Sequence, residues 1–148
     1  MQEFHLAQLN IAKPLYPLED VRMREFMDNL NRINELGKNA PGFVWILEDQ
    51  SGNATAIHAF DDLSILINLT VWESLETLQT FAYKTEHVAY VRRRHEWFER
   101  VSPYLVLWWI PAGHIPTAAE SKERLAHLDE HGDTAYAFTF RRTFPAGE

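Results

Sequence analysis

The sequence predicts a single α+β domain in which helices cover one face of a four-stranded antiparallel sheet. Segments with the two-residue period of a strand and segments with the 3.6-residue period of a helix alternate over about residues 1–113. Their order is strand, helix, strand, strand, helix, strand. The chain of 148 residues has the length of one domain, and it contains no cysteine that could form a disulfide. An extra helix at residues 117–132 and a C-terminal strand or arm at residues 136–144 complete the prediction.

The first strand and the first helix are delimited by proline, a capping residue and glycine. Phe4–Ala12 alternates between two faces and ends before Pro14. Asp20 is a predicted N-cap, because the apolar residues after it recur at helical spacing. Gly37 follows the last of them and is the predicted C-cap of this helix.

Two strands follow, and a polar connection separates them. The second strand is predicted at residues 43–48, and a turn cluster at residues 49–53 leads into a loop that reaches Asp62. The third strand is predicted at residues 63–72. One of its faces is entirely apolar, whereas the other carries Asn68 and Thr70 between Leu66 and Trp72.

The second helix is predicted to begin after the N-cap Ser74, to break near Thr85 and to continue toward Arg100. Its apolar residues fall on two nearly opposite sides, so a straight helix would have to bury both. If a new helix starts at the break, one row of its side chains faces the sheet. That row consists of His87, Val91, Arg94 and Phe98, with Tyr90 and Trp97 beside it. The sequence therefore places a histidine and an arginine among aromatic residues.

The last third of the chain contains one strand, one helix and one aromatic segment. Residues 104–110 are apolar on both faces and are predicted to be a central strand covered on both sides. A helix at residues 117–131 opens with Thr117 and Glu120, the spacing of a capping box. Residues 136–144 alternate aromatic and polar side chains, so we expect an ordered extended segment.

Charge and composition exclude several classes of function. The net charge of −7 disfavours a nonspecific nucleic-acid binder, which needs an excess of Lys and Arg. The start of the chain has no basic segment followed by an apolar core, and no apolar run reaches the roughly 20 residues of a membrane span, so a cytoplasmic location is expected. Hydrolase, nucleotide-binding and glycosidase signatures are absent from the sequence.

Polar residues on the first and third strands are the first candidate site. If these strands are neighbours, Gln8, Asn10, Asn68 and Thr70 share one sheet face and offer hydrogen bonds inside an apolar pocket. They could equally satisfy one another across a subunit interface. The predicted pocket is completed by Trp72, Tyr83 and Trp97.

Two pairs of residues have the spacing of metal ligands on a helix. They are His127 with His131 and His95 with Glu99. Neither pair has an obvious third ligand, so we interpret both as solvated side chains and predict no metal site.

Several motifs carry a resemblance to known proteins. They are FHLAQLN (4–10), PGFVW (41–45), NLTVWES (68–74), FAY (81–83), RRRHEWF (92–98) and LWWIPAGH (107–114). Together they resemble an uncharacterised bacterial domain family of the dimeric α/β-barrel superfamily, which includes antibiotic-biosynthesis-type monooxygenases. The resemblance implies a ferredoxin-like sheet that pairs with a second copy into a barrel.

A weaker likeness suggests a chemistry. Residues 71–74, 81–83 and 97–98 together with His87 look like part of spheroidene-type monooxygenases, which use haem and dioxygen. By this resemblance His87 would be the axial haem ligand, and Arg94 could pair with a haem propionate. A structural, hydrogen-bonded role for His87 is the competing interpretation.

Two hypotheses for function remain. The first is a monooxygenase-like oxidoreductase that acts on an apolar small molecule, with haem at His87 or with no cofactor. The second is a noncatalytic homodimer that binds a small ligand or mediates an interaction. The homodimer is expected in both, because the strands at residues 43–47 and 104–110 are apolar on both faces while the predicted helices cover one side of the sheet.

Overall fold

Four antiparallel strands form one sheet, seen in a computed structural model that describes residues 3–48, 55 and 57–147. The strands are β1 (Phe4–Ala12), β2 (Phe43–Ile46), β3 (Leu66–Trp72) and β4 (Leu105–Pro111), in the order β2-β3-β1-β4. The helices are α1 (Arg24–Lys38), α2 (Leu75–Lys84), α3 (His87–Arg92) and α4 (Ala118–His131), with 3₁₀ turns at Val21–Met23 and Arg94–Glu96. The predicted ferredoxin-like order is confirmed.

Helices α1, α2 and α3 lie on one face of the sheet, as predicted. In β1 and β3, Gln8 is paired with Thr70 and Asn10 with Asn68, so these polar residues point to the same face. On that face Leu78 of α2 packs with Trp72 of β3. We call this side of the sheet the polar-centred face.

The opposite face is apolar apart from His5 and is covered by the chain itself. Leu125 and Leu128 of α4 pack against it together with Ala137. The strand residues buried there are Ala7, Leu9, Ile11, Ile67, Leu69, Val71, Val106, Trp108 and Ile110, each no more than 5% exposed. The expectation of an uncovered sheet face, which motivated the face-to-face dimer, is therefore wrong. The homodimer stays a prediction, and it would need a different surface.

The start of α4 differs from a complete capping box. The Thr117 hydroxyl accepts a hydrogen bond from the Glu120 N–H at 3.0 Å, as predicted. The Glu120 carboxylate instead accepts from Trp108 Nε1 at 2.9 Å and lies 2.7 Å from His114 Nε2. Burial disfavours the charged carboxylate, but these two hydrogen bonds and the charges of His114 and Arg124 together outweigh burial and lower the pKa of Glu120. The Glu120 side chain therefore ties α4 to β4.

The ends of α1, β2 and β3 differ from the prediction. Helix α1 continues through Gly37 to Lys38, because this glycine packs against the Phe81 ring, where an added Cβ would lie 3.2 Å from a ring carbon. Strand β2 ends at Ile46 after an irregularity in its pairing with β3. Strand β3 begins at Leu66, because the Asp62 carboxylate accepts hydrogen bonds from Ser64 and holds a turn before it. The turn cluster predicted at residues 49–53 lies outside the described residues.

The predicted break in the second helix is present. Helix α2 ends at Lys84, and the Thr85 hydroxyl donates to the Phe81 carbonyl at 2.6 Å and accepts from the His87 N–H at 3.2 Å. The second piece is shorter than predicted, because α3 ends at Arg92 and a 3₁₀ turn replaces the expected run toward Arg100. The break sets the direction in which His87 points.

Strand β4 lies at the edge of the sheet, which corrects the prediction of a central strand. Its residues are apolar on both faces because α4 covers one face and the C-terminal segment covers the other. Phe138 exchanges two backbone hydrogen bonds with Leu107, at 2.7 and 2.9 Å, and its side chain is fully buried. Residues 136–144 form isolated bridges and a turn rather than a regular strand. They are an arm that closes the free edge of β4.

No helix within the described parts of the chain is both long enough and apolar enough to cross a membrane.

Candidate functional site

A cavity of about 230 Å³ lies between the polar-centred face and helices α1, α2 and α3. Nine candidate site residues from the sequence line it: Gln8, Asn10, Asn68, Thr70, Trp72, Tyr83, His87, Arg94 and Trp97. The fold thus brings together residues from two strands, two helices and the turns between them.

The floor of the cavity is a network of amides and one hydroxyl. Gln8 Nε2 donates to Thr70 Oγ1 at 2.8 Å and to Asn68 Oδ1 at 3.1 Å. Asn10 Nδ2 donates to Gln8 Oε1 at 2.6 Å and to Asn68 Oδ1 at 3.1 Å. Thr70 Oγ1 also accepts from Trp72 Nε1 at 2.9 Å. The predicted polar group forms one network within a single chain.

This network leaves specific groups unused. Asn68 Oδ1 accepts two hydrogen bonds, whereas the Nδ2 group of the same side chain donates none to any described residue. The Thr70 hydroxyl accepts two and likewise has no acceptor for its own proton among the described residues. The floor can therefore donate hydrogen bonds to a bound molecule at Asn68 and Thr70.

His87 is held in one tautomer at the side of the cavity. Its Nδ1 lies 3.2 Å from the Ala82 carbonyl oxygen, and because a carbonyl only accepts, Nδ1 carries the proton. Nε2 then has a free lone pair, with no partner among the described residues. Burial lowers the pKa of His87 and outweighs the hydrogen bond to Ala82, so the ring is neutral at neutral pH. The Phe81 ring lies against it, with the ring centroids 4.9 Å apart.

Arg94 is the cation of the cavity. Its Nη2 donates to the Ile11 carbonyl at 2.5 Å, which places the guanidinium beside the strand position next to Asn10. The guanidinium lies over the Tyr104 ring, 4.4 Å from its centroid, and over the Phe98 ring at 5.4 Å. Burial lowers the pKa of Arg94, although an arginine stays charged at any physiological pH.

Aromatic rings form the walls. Trp72 stacks on Phe81 with centroids 5.2 Å apart, and Trp97 stacks on Tyr90 at 5.9 Å. Trp97 is 3% exposed and packs with Met23 and Phe98, so most of its ring serves the core. Tyr83, by contrast, is 48% exposed.

Asn34, Tyr104 and Phe140 are among the cavity residues that were not identified as site residues from the sequence. Tyr104 and Phe140 come from segments whose docking depends on long-range contacts. Asn34 of α1 falls on the helical stripe that contains Ile33 and Gly37, and this spacing is the signal that could have found it. Asn34 is 9% exposed, and its side chain makes no hydrogen bond to the described residues.

The His pairs do not form a metal centre. The rings of His127 and His131 lie 4.4 Å apart, but Nε2 of His127 contacts the Thr134 hydroxyl at 3.2 Å. Within residues 3–48, 55 and 57–147, no group of three or more His, Asp or Glu side chains is arranged to hold a metal ion.

The donor chemistry of the cavity fits haem, but the cavity volume does not. The donor chemistry of His87 suits an axial ligand, because Nδ1 is fixed by a carbonyl and Nε2 is free. The cavity volume of 230 Å³ is too small for haem, because it lies below the roughly 300–1,000 Å³ of sites for drug-sized ligands. A porphyrin with two propionates is larger than such ligands. The assignment of His87 and Arg94 to haem is therefore not supported, and we derive no chemistry through haem.

A family model, "Domain of unknown function (DUF3291)", matches residues 5–148. No curated protein shows a significant match to the chain.

Solved structures of similar fold have low sequence identity. A protein described as "Putative antibiotic biosynthesis monooxygenase from Nitrosomonas europaea" is 9% identical with a TM-score of 0.46, and the alignment covers 78% of this chain and 93% of that protein's chain. A dabb family protein with a ferredoxin-like fold from Mesorhizobium loti is 13% identical with a TM-score of 0.46, covering 78% and 99%. A monooxygenase from Streptomyces coelicolor in complex with nanaomycin D is 13% identical with a TM-score of 0.42, covering 78% and 94%.

Proposed function

The chain belongs to the DUF3291 family, and from its cavity we propose that it is a monooxygenase-like oxidoreductase acting on an apolar small molecule without haem. One observation carries the proposal: a neutral histidine with a free Nε2 and an arginine without a carboxylate partner line the same largely apolar cavity. A base and a cation in one cavity suit the removal of a proton from a substrate and the stabilisation of the resulting anion.

The reaction that fits this pair begins with an acidic methylene next to an aromatic system. Nε2 of His87 takes one proton, and the Nδ1–H bond to the Ala82 carbonyl stabilises the imidazolium that forms. The positive charges of Arg94 and of this imidazolium together stabilise the substrate anion. The anion donates its electrons to dioxygen and forms a peroxide, which recovers the proton from His87. Loss of water then leaves a carbonyl, so that a methylene and O₂ give a ketone and H₂O with all electrons supplied by the substrate.

Oxygen uptake tests this proposal. We expect anthrones, which carry such a methylene between two aromatic rings, to be oxidised by the wild type. Replacing His87 with alanine should lower the rate about 10²- to 10⁴-fold, the usual contribution of a general base. His95→Ala is the matched control, because His95 is an exposed histidine in the neighbouring 3₁₀ turn and does not line the cavity.

The pH profile gives an independent readout. Since burial lowers the pKa of His87, the rate should rise through a pKa below the ordinary 6.5 and then stay level. The other ionisable groups around the cavity are Tyr83, Tyr90, Arg94 and Tyr104, and none of these residue types ordinarily titrates in that range. An H87A variant that folds and consumes oxygen at the wild-type rate would refute the assigned base. Ligand binding without any oxygen uptake would favour the noncatalytic alternative.

A further inference from the structure

Arg94 differs from its neighbour in lacking an anionic partner. Arg93 lies in an exposed ionic network, with Nη2 2.9 Å from Glu25 and Nε 2.8 Å from Glu96. Arg94 is more enclosed, yet its guanidinium meets only the Ile11 carbonyl and two aromatic rings among the described residues. A cation removed from water normally recovers its lost hydration from a counter-ion or from several hydrogen bonds.

The unused hydrogen-bonding groups of the cavity are mainly donors. The guanidinium has five N–H groups, and one of its nitrogens is engaged with Ile11. Nδ2 of Asn68 and the Thr70 hydroxyl add donors from the floor. Asn34, a residue that is 9% exposed, adds a second amide, whose Nδ2 donates to none of the described residues. Such a set calls for a ligand rich in acceptors at one end.

Charge and shape restrict that ligand further. Arg94 is the only Lys or Arg among the described residues that line the cavity, so it matches a ligand that enters with one negative charge and not one that enters as a dianion. A planar guanidinium fork binds a carboxylate through two parallel hydrogen bonds. The remaining walls are aromatic and aliphatic, including Phe26, Phe81 and Trp97.

We infer that the cavity takes a flat apolar molecule with one carboxylate, and that Arg94 binds the carboxylate while the aromatic walls enclose the apolar body. The inference rests on the proposed function, since it names the class of substrate for the same cavity. Arg94 would thereby set the orientation of the ligand relative to His87.

The test separates occupancy of the cavity from recognition of charge. N-phenyl-1-naphthylamine, a neutral dye that fluoresces in apolar sites, reports occupancy. Two competitors of nearly equal shape, 2-naphthoate and 2-naphthamide, are then titrated at pH 7.5, where only the first is charged. In the wild type, naphthoate should displace the dye at a concentration on the order of tenfold or more below that of naphthamide, as expected for a charge-assisted hydrogen bond.

Three variants locate the effect. Arg94→Gln should remove the preference for naphthoate, and Arg94→Lys should keep part of it, because the charge remains and the fork is lost. Arg93→Gln is the matched control and should behave like the wild type, since Arg93 does not line the cavity. Circular dichroism reports whether each variant is folded.

Each outcome decides between the two proposals. Failure of the dye to bind the wild type would overturn the ligand cavity of the proposed function, and this inference with it. Dye binding without a preference for naphthoate would overturn only the inference, and this comparison needs no variant to fold. A preference that persists in folded R94Q would also overturn it, because the anion would then be held elsewhere.

Discussion

Thr70→Val is the sharpest test of the polar network. Valine has nearly the shape of threonine and is more apolar, so an account based only on hydrophobic burial predicts a more stable protein at this 6% exposed position. The hydrogen bonds predict the opposite. The Thr70 hydroxyl is the acceptor for the indole N–H of Trp72, a side chain that is 1% exposed, and it also accepts from Gln8.

The expected magnitude follows from the groups that lose their acceptor. Trp72 Nε1 would be buried without any acceptor among the described residues, at a cost of about 1–3 kcal/mol. Gln8 Nε2 keeps its bond to Asn68 Oδ1 at 3.1 Å, so its share is smaller. For a domain of about 150 residues, this corresponds to a fall in melting temperature of roughly 2–12 °C.

Urea denaturation measures the effect, provided that the slope of the transition is unchanged. Thr70→Ser is the control, because it keeps the hydroxyl and loses one methyl group worth about 1 kcal/mol. A double-mutant cycle with Trp72→Phe adds a direct measurement, since Thr70→Val should cost less where the indole donor is already gone. A T70V protein as stable as the wild type, or more stable, would refute the described network.

Three further predictions concern the fold around the cavity. Phe138→Ala should destabilise the protein by about 3–5 kcal/mol in urea denaturation, because its ring is fully buried; an effect below about 1 kcal/mol would mean that the arm does not dock. Gly42→Ala should lower the melting temperature more than Gly113→Ala. Both glycines have positive φ, but a Cβ at Gly42 would lie 2.4 Å from Thr77, whereas Gly113 has nothing within 4 Å; equal effects would contradict the close contact. Glu120→Gln should make the free energy of unfolding depend less on pH in the acid range. The lowered pKa of Glu120 stabilises the wild type above about pH 4.3, and this stability is lost as the pH falls through the lowered value. Similar pH profiles for variant and wild type would argue against its hydrogen bonds.

The sequence predicted well the features that depend on the period of apolar residues within one element and on which strands are neighbours. Alternation alone put Gln8 and Asn10 on one face, and the predicted strand order put Asn68 and Thr70 beside them. The break at Thr85 was predictable because two apolar sides cannot both face one sheet. Together these two inferences put the polar residues of β1 and β3 on one sheet face and placed His87 at the start of a new helix.

The elements that the sequence could not predict depend on contacts between distant segments. A strand that is apolar on both faces looks the same whether a second copy or the chain's own helix covers it, so α4 on the second sheet face was not foreseen. The alternation in residues 136–144 suggested a strand, but hydrogen bonds from Thr139 to Asp133 hold a turn there. Gly37 looked like a helix end, and only the Phe81 ring explains its place inside α1.

The position of α4 bears on how the protein behaves on dilution. A sheet whose second face is completed by another molecule is stable only while that molecule is bound, so its melting temperature falls with concentration by mass action. Here the covering helix is covalently part of the chain and stays at the same effective concentration however dilute the sample. The burial of this face of the sheet is thus independent of encounter with another copy.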